Sequence, residues 1–159
     1  MKDRAIRIRA SSLSGCKYKR LDEPSLSMTA ARKAYAHSGL KPEYIQVAEV
    51  HDATSFCEVL QVEMMGFCDI GEGGRFIEAG ETGPGGKVPV NTSGGLVSKG
   101  HPVGATGLSM IQELATQLRG EAGERQVPDA RIALAENGGG VIGFEEAACA
   151  VNILERARD

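Results

Sequence analysis

The sequence offers little that would support a disulfide framework, a zinc site or a nucleic-acid interface. Its four cysteines have no CxxC spacing, which argues against disulfides and zinc and favours a reducing, cytoplasmic compartment. The formal net charge of -3 provides no basic surface for nucleic acid. No apolar run approaches the length of a membrane span, and the charged start of the chain lacks the pattern of a signal peptide. The 159 residues are predicted to form one domain, 1–159, with a buried core.

Glycine is abundant, and its distribution points to one segment. Twelve of the 21 glycines lie between Gly71 and Gly107, a density typical of functional loops. The segment 91–107 places a single histidine, His101, on a glycine-rich turn directly before an amphipathic helix. Glycine lets backbone approach a ligand closely, and N–H groups at a helix start favour negative charge. A ligand-binding loop is therefore predicted, with these candidate residues: Asn91, Gly94, Gly95, Gly100, Gly104 and Gly107.

The chemistry of His101 follows from this setting. A histidine near neutral pH can act as a base or donate a hydrogen bond to an oxyanion. The alternative is that His101 only hydrogen-bonds local backbone in a Gly/Pro turn. The glycine environment favours the catalytic interpretation.

Hydrophobic patterns along the chain predict alternating strands and helices. Helices are expected over 24–38, from a capping box at 55–58 to Gly66, in a short turn near Arg75, and over 106–119. The last helix should bury a stripe of Leu108, Ile111, Leu114, Ala115 and Leu118, and the second should carry Phe56, Val59, Leu60 and Met64 on one side. Strands are expected over 5–10, 45–50, 132–135 and 147–154.

Strands separated by helices favour an α/β sheet that is covered on both faces. In such folds sites collect at the carboxyl ends of strands. His51 and Glu136 each end a predicted strand, and His101 enters a helix. We therefore expect these three side chains to converge at one edge of the sheet.

Two further segments carry candidate chemistry. In 51–56, a neutral His51 can orient a water or a carbonyl oxygen, and Asp52 can fix its tautomer; alternatively the pair only caps the next helix. In 135–140, Glu136 in a partly dry pocket would have a raised pKa and serve as a general base; alternatively it is a solvated glutamate. Gly138 and Gly139 extend this second loop.

Together these motifs resemble the thiolase family. Gly100-His101-Pro102, followed by 104–107 (Gly-Ala-Thr-Gly), is similar to the family's Gly-His-Pro loop. The segment 51–56 resembles the His-Asp-x-Phe motif of thiolases of the sterol carrier protein and archaeal types, with three residues before Phe56. The loop 135–140 matches the Cys-x-Gly loop of degradative and biosynthetic thiolases, with Glu136 at the position of the acid/base cysteine. In sterol carrier protein type thiolases a cysteine of the histidine motif substitutes; here Cys57, one helical turn further on, is the candidate, or else a small core residue.

The resemblance covers nearly the whole chain and corresponds to the C-terminal half of a thiolase. It implies an α/β fold with one mixed five-stranded sheet and helices on both faces. It implies acyl transfer on acyl-CoA or 3-ketoacyl-CoA, with a coenzyme A thioester as substrate and no bound cofactor. The nucleophilic cysteine belongs to an N-terminal half that nothing here matches, so the isolated chain is expected to be inactive. In the family the counterpart of His101 activates that cysteine and helps form the oxyanion hole, and the counterpart of His51 stabilises the thioester oxygen.

The resemblance also implies partners. The N-terminal half would be supplied by the same or a separate chain, and the apolar helix face that normally packs on it favours a homo-oligomer. A small zinc-binding accessory protein accompanies some relatives. No nucleic-acid or membrane partner is expected.

Two other functional classes remain open at this level. One is a related lyase that splits aldol adducts of CoA thioesters, because such thiolase-like proteins also lack the usual cysteines. The other is a non-catalytic acyl-CoA-binding or structural subunit. A metal site formed by His51, Asp52 and His101 fits no metal-binding spacing, so no metal is expected.

Overall fold

A computed structural model describes residues 4–157; the remaining ends of the predicted domain, 1–3 and 158–159, lie outside the described residues. Four strands form one mixed sheet in the order β1-β4-β3-β2. Strands β1 and β3 both pair antiparallel with β4, and β2 pairs parallel with β3. Their bounds are β1 (Ile6–Gly15), β2 (Val47–Glu49), β3 (Ile132–Gly139) and β4 (Ala148–Arg156).

The sheet of the described residues has four strands, not the five that the family resemblance implied, and next to β2 there is only a β-bridge. Val90 forms a parallel bridge to Ala48. The Ala48 N–H donates to the Pro89 carbonyl and the Asn91 N–H donates to the Ala48 carbonyl, both at 2.9 Å. Pro89 has no N–H to extend the ladder, and Asn91 turns the backbone away with a φ of 54°. The pairing therefore stops after one residue.

Helices cover both faces of the sheet, as predicted. On one face, α1 packs against β1 and β4 through alanines that allow close approach: Ala30, Ala31 and Ala34 are buried. On the other face, α5 packs against β2, β3 and β4. Three shorter α-helices lie between α1 and α5 in the chain. The bounds are α1 (Leu26–Ser38), α2 (Ser55–Met64), α3 (Gly73–Glu78), α4 (Gly95–Lys99) and α5 (Thr106–Arg119).

The α1 and α5 predictions are confirmed, apart from one buried residue. The Ser25 hydroxyl caps α1 by accepting the Met28 N–H, which starts the helix at residue 26. The bounds of α5 are as predicted, and Gly120 ends it in the left-handed region. The buried stripe of α5 is rotated from the predicted one, because Leu108 is 74% exposed while Met110 is fully buried.

The predicted cap and apolar side of α2 are wrong in part. Thr54, one residue before the expected capping box, accepts the Cys57 N–H. Phe56 is 68% exposed, and the residues that α2 buries are Gln61, Val62 and Met64. The predicted turn near Arg75 is the short helix α3. Over residues 4–157, none of the helices has the length and apolar character needed to cross a bilayer.

Candidate active site

The parallel pairing of β2 with β3 brings two of the predicted residues together. Glu49 and Ala135 are paired, so the chain leaves both strands at the same edge of the sheet. His51 follows β2, and its backbone N–H donates to Glu136 Oε2 at 3.0 Å. Strand β3 is longer than predicted and includes Glu136, whose side chain is thus fixed on a regular strand rather than a loop.

The glycine loop delivers His101 to the same place. The rings of His51 and His101 lie 5.0 Å apart, centroid to centroid, in an edge-to-face arrangement. His101 Nδ1 lies 2.7 Å from the Thr106 hydroxyl at the start of α5, which orients the ring. His51 is buried and His101 is exposed. The structure therefore places His51, His101 and Glu136 together, as their positions in the sequence predicted.

Asp52 anchors the glycine loop instead of setting the His51 tautomer. Its carboxylate accepts the Leu96 N–H at 2.7 Å and the Val97 N–H at 3.4 Å, at the start of α4, a helix that the sequence did not predict. Gly95 is required here, because a Cβ would lie 2.1 Å from Asp52 Oδ2 and its φ is +60°. Neither the predicted tautomer role of Asp52 nor capping of α2 is present.

Asn91 ties the start of the glycine loop to β2 and α2. Its Oδ1 accepts the Val50 N–H at 2.8 Å and its Nδ2 donates to Glu58 at 3.1 Å. This predicted loop residue is buried beneath the site, so its contacts are with the protein. The other predicted loop glycines divide by exposure: Gly94, Gly100, Gly104 and Gly139 are exposed, Gly95 and Gly138 are buried, and Gly107 is half-buried.

Glu136 has no exposed surface, so the solvated alternative is wrong. Burial raises its pKa to about 7, and repulsion from Glu146 adds to the rise. The His51 N–H and the Cys149 thiol, 3.2 Å from Oε1, act in the opposite direction. The raised pKa expected for this carboxyl is present. Its role as a base stays a prediction.

Glu146 is the site residue that sequence reasoning missed. Its Oε1 lies 3.1 Å from His51 Nδ1, and this contact is the main reason that the pKa of His51 is raised. A Cβ at position 138 would lie 1.8 Å from the Glu146 carboxylate carbon, so glycine makes the room for it. The only sequence signal is the run of three glycines after Asn137, which indicates a close approach without naming the partner.

A cavity of about 310 Å³ opens beside Glu146. Cys57 is on its wall, so its side chain faces open space rather than the core. Its sulfur lies 3.2 Å from the Thr54 hydroxyl. Most of the remaining wall is apolar and includes Leu26, Phe56, Leu60, Val141 and Phe144. Of the two acid/base candidates, Cys57 therefore lines open space, whereas Glu136 is fully buried.

Potential metal ligands come together at the site, but they are not the His51, Asp52 and His101 set that was considered from the sequence. The side chains of Glu136, Glu146 and Cys149 bring ligand atoms within 4.8 Å of one another, the one such group in the described range 4–157. Burial raises the pKa of the Cys149 thiol, which donates to Glu136, and a thiol that keeps its proton is a poor metal ligand. We therefore interpret the group as a hydrogen-bonded cluster.

Comparison with known proteins places this chain in a family. Residues 19–155 match the family model described as "Thiolase C-terminal domain-like". The chain belongs to this family. It is 51% identical to sterol carrier protein 2 of Homo sapiens over 132 residues, which cover 77% of this chain and 24% of that protein. It is 47% identical to the acetyl-CoA acetyltransferase of Methanothermobacter thermautotrophicus over 130 residues, covering 82% of this chain and 33% of that protein.

A similar fold is found among solved structures. A structure described as "Ltp2-ChsH2(DUF35) aldolase" superposes with a TM-score of 0.80 at 26% identity, over 97% of this chain and 40% of that chain. The thiolase-like domain thus spans a quarter to a third of the sequence relatives named above. The activities of the longer relatives are therefore a basis for proposals about this chain.

Proposed function

We propose that the chain is the C-terminal half of a thiolase-like acyltransferase that acts on acyl-CoA or 3-ketoacyl-CoA. The observation that carries this proposal is the pairing of His51 with His101 at 5.0 Å, next to a buried carboxyl. Two imidazoles at one sheet edge supply a hydrogen-bond donor and a base to one small volume. These two groups are needed to hold a thioester oxygen while a thiol is deprotonated.

The proposed reaction uses a cysteine from the N-terminal half. His101, which is exposed, takes the proton of that thiol as the sulfur attacks the ketone carbon of 3-ketoacyl-CoA. His51 and His101 donate hydrogen bonds to the thioester oxygen of the substrate, which becomes the oxyanion of the acetyl-CoA enolate when the carbon–carbon bond breaks. The bond between the α-carbon and the ketone carbon then breaks, the acyl group stays on sulfur, and the acetyl-CoA carbanion takes up a proton. Free coenzyme A then attacks the acyl-cysteine: the proton of its thiol replaces the one given to the carbanion, the cysteine sulfur leaves and takes back the proton held by His101, and acyl-CoA is released.

Two residues are candidates for the proton that the carbanion takes up. Glu136 has a pKa of about 7 and so holds a proton near neutrality, but it has no exposed surface. Cys57 faces the cavity beside Glu146. Both residues stay candidates. They are distinguished by testing Glu136→Gln and Cys57→Ala variants of the complete protein: the residue that donates the proton is the one whose substitution abolishes protonation of the carbanion.

The proposed partner is the N-terminal half, carried on the same or another chain. Exposed apolar side chains near the site support a covered surface: Val97, Val103 and Leu108 are 64%, 80% and 74% exposed. Such a surface in contact with water favours association. Four further points stay predictions: a homo-oligomer, a small zinc-binding accessory protein, a cytoplasmic location, and a coenzyme A thioester as the substrate with no bound cofactor.

An aldolase acting on CoA thioesters is the second candidate. Its support is specific: position 136 carries glutamate instead of the cysteine of degradative thiolases, and a similar solved structure is described as an aldolase. A retro-aldol cleavage needs oxyanion stabilisation at the thioester but no acyl transfer to sulfur. The histidine pair serves both reactions.

The experiment that separates these candidates uses the complete protein. We expect cleavage of a 3-ketoacyl-CoA that requires free coenzyme A, and loss of that activity in a folded His101→Ala variant. Cleavage of a 3-hydroxyacyl-CoA adduct without free coenzyme A would establish the aldolase instead. Binding of acyl-CoA without either turnover would indicate a non-catalytic subunit, and full activity of His101→Ala would refute the proposal.

A further inference from the structure

One ring nitrogen of His51 has no partner within the described part of the chain. Nε2 is buried and makes no hydrogen bond there, whereas Nδ1 lies 3.1 Å from Glu146 Oε1. A buried polar atom without a partner costs free energy unless something else satisfies it. The two ring nitrogens therefore differ: Nδ1 is in contact with Glu146, and Nε2 is free to hydrogen-bond a ligand.

The carboxylate of Glu146 occupies space that is left by the missing side chain of Gly138. Any Cβ at position 138 would lie 1.8 to 2.0 Å from the carboxylate atoms of Glu146, a distance that no side chain tolerates. Gly138 is a strand residue in the middle of the β3–β4 pairing, where glycine weakens a sheet. Such a glycine is explained by the close approach that it permits.

We infer that Glu146 is the positioning residue of His51: its carboxylate accepts the Nδ1–H of the protonated ring, so that the second N–H of that ring, on Nε2, faces the substrate oxygen as a donor. This inference deepens the proposed function, because the substrate oxygen is the thioester oxygen assigned above. Glu146 acts through His51 in this assignment. Histidines in functional sites commonly have their tautomer set by such a second contact.

The groups around His51 determine its charge. Three carboxylates face it: Glu136 from β3, Glu146 from the β3–β4 connection and its neighbour Asp52. The ring of His101, from the glycine loop, lies 5.0 Å from the ring of His51, centroid to centroid. The hydrogen bond to Glu146 is the largest influence and raises the pKa of His51, burial lowers it, and the remaining carboxylates raise it. A donor on Nε2 is thereby retained to a higher pH than in a free imidazole.

The test is a histidine titration by NMR, which does not depend on activity. The chain has three histidines, so their ring signals are assigned with single His→Gln variants. In the wild type we expect His51 to titrate above its ordinary value, with Nδ1 as the protonated nitrogen of the neutral ring. In Glu146→Gln the midpoint should fall by about one pH unit, since an adjacent opposite charge is removed.

The matched control is Glu145→Gln. Glu145 is the preceding residue and pairs with Lys19, so this variant removes an equal charge beside the site without touching His51. Its His51 midpoint should stay that of the wild type. A fall of equal size in both variants, or no fall in Glu146→Gln, would overturn the inference.

A second variant covers the case in which Glu146→Gln does not fold. Gly138→Ala keeps both glutamates and displaces the Glu146 carboxylate, so it should lower the His51 midpoint in the same direction. An unchanged midpoint in a folded Gly138→Ala protein would also overturn the inference. Failure of the proposed function is distinguishable, because the complete protein would then lack thioester chemistry while the His51 titration still depends on Glu146.

Discussion

The buried carboxyl of Glu136 should make the protein less stable as the pH rises. Its pKa is raised by burial from 4.5 to about 7, so in that range the folded protein holds a proton that the unfolded chain releases. The stability that this proton contributes is fully present below 4.5 and is lost as the pH passes about 7. Glu136→Gln carries a permanently neutral group of the same shape and should remove this dependence.

The magnitude follows from the size of the rise. A change in pKa from 4.5 to about 7 corresponds to about 3 kcal/mol of unfolding free energy. Glu136 has no exposed surface, so solvent screening does not reduce this contribution as it would at the protein surface. The wild type should therefore lose about 3 kcal/mol relative to Glu136→Gln between about pH 4 and pH 8.

The assay is urea unfolding of both proteins across this pH range. The difference between the two curves removes the contributions of Glu49 and Glu58, whose raised pKa values are common to both proteins. His51 adds a smaller part to the difference, because the charge of Glu136 is one of the causes that raise its pKa. Equal denaturant dependence in the two proteins shows that the comparison concerns stability alone. Glu78→Gln, at an exposed position, is the control and should track the wild type. Parallel curves for wild type and Glu136→Gln would refute the reasoning.

Three further predictions concern the glycine loop. Gly95→Ala should destabilise the protein by more than the roughly 1–2 kcal/mol of left-handed strain, because its Cβ would also meet Asp52 at 2.1 Å. The control is Gly104→Ala, which has nothing near its Cβ and no positive φ and should leave the urea midpoint unchanged. Equal urea midpoints for the two variants would contradict this prediction. Asp52→Ala leaves two α4 N–H groups without their acceptor and should cost about 1 kcal/mol, measured the same way and contradicted by wild-type stability. Thr106→Val removes the hydroxyl 2.7 Å from His101 Nδ1 and should lower kcat of the complete protein about tenfold with its melting temperature kept; an unaltered kcat would remove this role.

Local patterns in the sequence were sufficient for the long helices. The bounds of α5 follow from its periodicity and from Gly120, and α1 follows from its cap and stop signals. Which residues α5 buries depends on how it is rotated against the sheet, so Leu108 was assigned to the wrong side. The pairing of Val90 with β2 does not extend into a further strand, since a ladder needs N–H groups and extended backbone that Pro89 and Asn91 do not provide.

The site was predictable where a single residue marked it and unpredictable where a distant contact forms it. His51, His101 and Glu136 stand in recognisable motifs, and the parallel β2–β3 pairing brings two of them together. Helix α4 was missed because its start is held by Asp52, more than forty residues earlier in the chain. Glu146 was missed because its contact with His51 spans 95 positions and is marked only by a glycine.

The central claim is that His51 and His101 together hold the oxygen of a CoA thioester. Exchange of the α-protons of acetyl-CoA in D₂O, catalysed by the complete protein, tests it most directly, because exchange requires that oxygen to be stabilised whichever carbon–carbon bond is made or broken. The account predicts exchange by the wild type, about a hundredfold slower exchange in folded His51→Ala and His101→Ala variants, and no change in the exposed control His37→Ala. Exchange at the wild-type rate in either of the first two variants would contradict it.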